Sequence, residues 1–113
     1  MPHKLLQLDA RRITGWGTFH DLFSQLFGLP PNYPRTMNAW MNALFSLDDP
    51  AKALTSLQVS PGSMLILQLD NVDEFAEKCR PQYDAIIECI AMVNLRRLEA
   101  GAQPIVALAY FKN

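Results

Sequence analysis

Three short apolar runs limit what this chain can fold into. They are Lys4–Leu8, Ser63–Leu69 and Ile105–Phe111. Each has the length of one β-strand, and long stretches of helical periodicity separate them. Strands joined through helices rather than tight turns need crossover connections, so the three are expected to be mutually parallel, with right-handed crossovers. Residues 63–69, Ser-Met-Leu-Ile-Leu-Gln-Leu, are nearly all apolar, as in a strand buried on both faces. The fold class is therefore α/β, a three-stranded parallel sheet packed with helices.

The helical stretches are well marked. Phe19, Leu22, Phe23, Leu26 and Phe27 fall at i, i+3, i+4, i+7 and i+8, one apolar stripe. Residues 13–17 form a linker before it. Thr18 is the expected N-cap, with Asp21 three residues on. Gly28 stands where a helix ends in the left-handed conformation, and Leu29-Pro30-Pro31 forbids continuation. A stiff loop, Pro30–Arg35, leads to a second stripe at Met37, Trp40, Met41, Leu44 and Phe45. That spacing predicts a helix over Thr36–Leu47, closed by Asp48-Asp49-Pro50. Ser60-Pro61-Gly62 is a turn. Val72–Cys79 reads as a short helix. After Pro81 a long one runs over Gln82–Ala100, with Ile86, Ile87, Ile90, Val93 and Leu98 in its apolar sector and Gly101 as its cap. The order is β-α-α-β-α-α-β, and 113 residues suit a single domain over 1–113.

Charge and chemistry mostly exclude. Ten Lys+Arg stand against eleven Asp+Glu, a net of −1, which argues against direct nucleic-acid binding through phosphates. Two cysteines, Cys79 and Cys89, are too few for a disulfide framework and are expected as reduced, partly buried thiols. The N-terminus lacks a signal-peptide pattern and the apolar runs are too short for a membrane span, so the expected setting is soluble and cytoplasmic, away from any membrane. His3 and His20 stand alone, and no metal-ligand spacing occurs, so neither metal nor cofactor is expected. Gly15-Trp16-Gly17 lacks the further glycine of a dinucleotide loop. With no catalytic set, the chain is not expected to be an enzyme.

Two features invite a functional reading. Asp70, Asp73, Glu74 and Glu77 gather at the end of the second strand, where open α/β sheets bind ligands. Asp73 and Glu74 equally suit the first turn of a helix, as Arg96 and Arg97 suit the last turn of theirs. The cluster supports one alternative, a small ligand-binding or enzymatic α/β protein. The second feature is Asn38 and Asn42, one turn apart on one face of the second helix. Asparagine is a mediocre helix former, so the pair marks that face as a candidate contact surface.

The stretch Leu29-Pro30-Pro31-Asn32-Tyr33-Pro34-Arg35-Thr36-Met37-Asn38-Ala39-Trp40-Met41-Asn42-Ala43-Leu44 resembles the signature of the barstar family. That signature is a Leu-Pro, a loop with an aromatic, and a helix of the form Asn-x-Asp-Ala-x-x-Asp-Ala-Leu. The element order is similar too, and Phe19–Pro30 corresponds to the family's first helix. The likeness spans nearly the whole chain, with an extra stretch near residues 50–60.

The resemblance implies a barstar-like fold and an inhibitor rather than an enzyme: an immunity protein that covers the active site of a secreted or delivered ribonuclease and is monomeric when free. It implies a binding face on the second helix and the loop before it, drawn from Asn32, Tyr33, Arg35, Asn38, Met41, Asn42, Asp48 and Asp49. The family's paired acidic positions fall on Asn38 and Asn42. Its loop aromatic before Tyr33 falls on Asn32, its loop glycine on Pro34, and a further acidic position near Arg96. In the family a carboxylate mimics substrate phosphate and pairs with cationic side chains of the nuclease. Asn38 and Asn42 keep the size and the accepting oxygen but lose the charge and gain donors. A cationic cleft facing two amides would leave charges uncompensated, at about 2–5 kcal/mol for each one buried. The expected partner is thus a protein toxin with a surface matched to amides, or one met by Asp48 and Asp49 instead.

Overall fold

A computed structural model describes residues 3–112. The strands are β1 (Lys4–Asp9), β2 (Leu65–Asp70) and β3 (Val106–Phe111); the helices are α1 (Trp16–Phe27), α2 (Met37–Phe45), α3 (Val72–Lys78) and α4 (Arg80–Glu99). Short 3-10 turns occupy Ala10–Arg12 and Pro50–Lys52. The element order is β-α-α-β-α-α-β, and β2 lies between β1 and β3 in a parallel sheet. In register, Leu6 faces Leu67 and Leu67 faces Leu108, while Leu8 faces Leu69.

Strand alternation decides which side of the sheet is dry. Leu65, Leu67 and Leu69 are buried, whereas Ile66, Gln68 and Asp70 are only half-buried. The expectation that β2 is buried on both faces is therefore corrected. The helices supply the core against the leucine face, and Leu5, Gln7 and Phe111 on the other face remain exposed. Parallel strands are usually covered on both sides; here three strands and four helices leave one side open.

α1 begins two residues before Thr18. Thr18 still serves the helix start, from inside the first turn: its Oγ1 accepts from the backbone N–H groups of Thr14 at 2.8 Å and Gly15 at 3.2 Å. Phe19, Leu22, Phe23 and Phe27 are buried as the stripe predicts, and Leu26 is half-buried. Gly28 ends the helix at φ 64°. It is also a close-approach glycine, since a Cβ there would fall 2.5 Å from Ser56 Cβ. The Ser56 backbone N–H donates to the Phe27 and Gly28 carbonyls, which an ended helix leaves without partners.

In α2 the buried side is Trp40, Ala43 and Leu44, followed by Leu47. Met37, Met41 and Phe45 are only half-buried, so the apolar stripe is rotated slightly from the expected one. The Trp40 ring packs among Phe19, Phe23 and Phe27, with centroids 5.7, 5.4 and 6.2 Å away. That contact fixes α2 against α1.

α4 starts earlier than expected, with Pro81 inside its first turn, where a missing N–H costs nothing. Its other end departs further. Leu98 is exposed, and Arg97 is buried in its place. The reason is a set of acceptors: Arg97 donates to both carboxylate oxygens of Asp48, at 3.1 and 2.8 Å, and to the carbonyls of Phe45 and Gln103. The Arg97 guanidinium also lies over the Phe45 ring. Neither cysteine is in a disulfide; Cys79 is buried, with its thiol donating to the Ile13 carbonyl, and Cys89 is half-buried.

Candidate binding face on the second helix

The loop before α2 is fastened to α1 at two points. The Tyr33 hydroxyl lies 2.8 Å from His20 Nδ1, and a longer bond of 3.4 Å runs from that hydroxyl to the Thr36 carbonyl. The Trp16 ring stacks against His20. Burial pushes the His20 pKa down, helped by the Arg35 charge, and pushes the Tyr33 phenol up to about 12. Both rings are therefore neutral at neutral pH, and the hydrogen bond between them carries no charge.

The second fastening is Arg35. Its guanidinium donates to Asp21 Oδ1 at 2.8 Å and to the Gly17 carbonyl at 3.0 Å. Arg35 takes a positive φ of 60°, a left-handed conformation that costs a side chain roughly 1–2 kcal/mol. The family's loop glycine falls on Pro34, whose ring holds φ near −65°. The left-handed residue is accordingly the next one, and the two guanidinium bonds hold it there.

Thr36 caps α2, its Oγ1 accepting from the Ala39 N–H at 3.2 Å. With Trp40, Ala43 and Leu44 facing the core, helical geometry turns Asn38 and Asn42 outward. Both are exposed, as is Asn32 in the loop, and none of the three amides has a side-chain hydrogen-bond partner among the described residues. Asn42 stands between two surface cavities. One, of about 280 Å³, is walled by Leu29, Asn32, Tyr33 and Leu54. The other, of about 230 Å³, lies toward α4 and is walled by Met41, Phe45, Val93 and Arg96.

Of the residues expected at the face, Asn32, Tyr33 and Asn42 line one cavity together, and Met41 and Asn42 line the other. Asn38 is exposed but lines neither cavity, and Arg35 braces the loop through Asp21. Asp48 and Asp49 lie beyond the end of α2 and have partners within the chain. Asp48 is ion-paired with Arg97, and Asp49 accepts from the Ala51 N–H.

Sequence reasoning missed Val93 and Leu54 as neighbours of the face, and His20 as the support of Tyr33, and it reached Arg96 only through the family's acidic position. A signal existed for Arg96. Adjacent helical residues point about 100° apart, so on a packed helix one arginine of the pair can face inward while the other faces solvent. The buried one is Arg97, and Arg96 is exposed.

The acidic residues at the end of β2 and in α3 are differently occupied. Asp70 accepts from Gln7 and Gln68, and Glu74 pairs with Lys78. Beside them, the Arg11 guanidinium holds the Asp9 carboxyl far below the usual carboxylate range. No group of His, Cys, Asp and Glu among the described residues could hold a metal ion. No described helix is long and apolar enough to cross a membrane.

A search of curated proteins finds no match. The family model described as Barstar (barnase inhibitor) matches residues 3–109, which takes in β1, β2, the four helices, the face around Asn42 and all but the last two residues of β3. With that match over nearly its full length, the chain belongs to the barstar family.

Proposed function

We propose that this chain is an immunity-type inhibitor that acts in the cytoplasm, where it binds a protein toxin and blocks its active site with α2 and the loop before it. Membership of an inhibitor family gives the class of function. The observation that carries the choice of surface is the set of outward amides, Asn32, Asn38 and Asn42, whose side chains find no hydrogen-bond partner among the described residues, with Asn32 and Asn42 lining the two cavities there. Rigid support adds to it. Trp40 anchors the helix in the core, and His20 and Asp21 pin the loop, so little ordering remains to oppose association. Asp48 and Asp49 serve this face indirectly, by fixing the end of α2 and the turn that follows it.

Inhibition is the test. The protein retained on the immobilised chain from its own cells is assayed for RNA cleavage and for toxicity on expression, with and without an equimolar amount of the chain. Relief of toxicity is expected. Recovery of no protein whose toxicity the chain relieves overturns the reading.

A further inference from the structure

The face around Asn42 is rich in hydrogen-bond donors and poor in free carboxylates. Residues 37–45 contain no charged side chain at all. Two acids on neighbouring elements are taken: Asp21 by Arg35 and Asp48 by Arg97. What is left facing outward is the cation of Arg96, at the wall of the cavity that Met41, Asn42 and Phe45 also line. Arg96 is exposed and makes no side-chain hydrogen bond or ion pair among the described residues, not even with Glu99 one turn on. Asn42, across the same cavity, offers two further N–H donors. A planar guanidinium beside an amide, over an apolar floor, suits a carboxylate, which can accept two parallel bonds from the arginine and another from the amide.

We propose that the protein partner inserts an Asp or Glu side chain into this cavity against Arg96 and Asn42, so that the inhibitor contributes the positive charge and its target the negative one. This rests on the reading of α2 as the inhibitory face and names the chemistry of the surface that meets it. The charge arrangement is the reverse of the one the family's acidic positions imply. A basic nuclease cleft would meet Arg96 as a like charge, with no carboxylate on α2 to offset it.

Two arms test the proposal. In the first, barnase is the probe, because the family's carboxylates match its active site. The unaltered chain is expected to leave barnase active, while N38D/N42D/R96E inhibits it, with inhibition weakening as salt is raised to about 0.5 M. Inhibition of barnase by the unaltered chain with no gain from R96E, or failure of a folded triple variant to inhibit, overturns the proposal. Far-UV circular dichroism establishes that the triple variant is folded; because all three positions are exposed, N38D/R96E serves if it is not.

In the second arm, R96Q and R96E are titrated against the toxin recovered in the inhibition test. The expected result is a loss of about ten-fold for R96Q and more for R96E, both losses shrinking at high salt. Equal or tighter binding by R96E overturns the proposal and leaves the inhibitor reading intact. If no toxin is recovered it is the inhibitor reading that fails, and the barnase arm still decides the charge question.

Discussion

The Arg97 guanidinium meets the Asp48 carboxylate at 2.8 Å, and through this pair the last turn of α4 grips the end of α2. The arginine side chain is 8% exposed and the aspartate 21%. Arg97 also carries the Phe45 carbonyl, one of those left open where α2 ends. Removing one member of a buried pair strands the other, which costs more than the pair contributes while intact.

R97M is therefore expected to cost about 3–5 kcal/mol in urea unfolding, because it strands the carboxylate and two carbonyls together. D48N keeps a polar group beside Arg97 and is expected to cost less, about 1–3 kcal/mol. Equal stability of R97M and the unaltered chain would show that the pair is not a structural clamp.

His20 gives a stability that depends on pH. Its folded pKa is depressed by burial and by Arg35, whereas an unfolded histidine titrates near 6.5. Below about 6.5 the unfolded chain takes up a proton that the folded chain refuses, so stability falls as pH is lowered from there toward the folded pKa. Asp9, held low by Arg11, adds a further loss only below about 4. The decrease that begins below about pH 6.5 is expected to diminish in H20F, measured as the difference in urea midpoint between the two proteins. An undiminished decrease would assign it to other groups.

Gly28 carries two separate demands, a positive φ and a close approach to Ser56. G28A is expected to lose roughly 1–2 kcal/mol to the left-handed conformation and an additional amount to the contact with Ser56 Cβ. S56G removes that Cβ, so G28A/S56G should be more stable than the two single changes sum to. Additive effects in thermal unfolding would mean that the loop at Ser56 yields freely.

Much of this architecture was legible in the sequence because it rests on periodicity. The stripe from Phe19 to Phe27, the glycine at 28 and the three short apolar runs specify α1 and a parallel sheet without any long-range information. The outward turn of Asn38 and Asn42 follows from the same rule. The open face of β2 was not legible, since an apolar Ile66 between leucines reads alike whether a helix covers it or not. Nor was the burial of Arg97, which depends on Asp48, forty-nine residues earlier and brought close only by the packing of α2 on α4. The two cavities beside Asn42 have the same origin. Their walls come from the loop at Leu29–Pro34, from Leu54 and from α4, and no local pattern announces which of these meet.

The central claim is that α2 and its preceding loop form the inhibitory face, and calorimetric titration of N42W against the recovered toxin tests it most directly. Tryptophan at this position would crowd both cavities while leaving the buried side of α2 untouched. With D73N, at an exposed position of α3, as the control, the account predicts a loss of at least about 100-fold for N42W, or about 2.7 kcal/mol, with an unchanged thermal midpoint and unchanged binding by D73N. Binding by N42W as tight as that of the unaltered chain would contradict it.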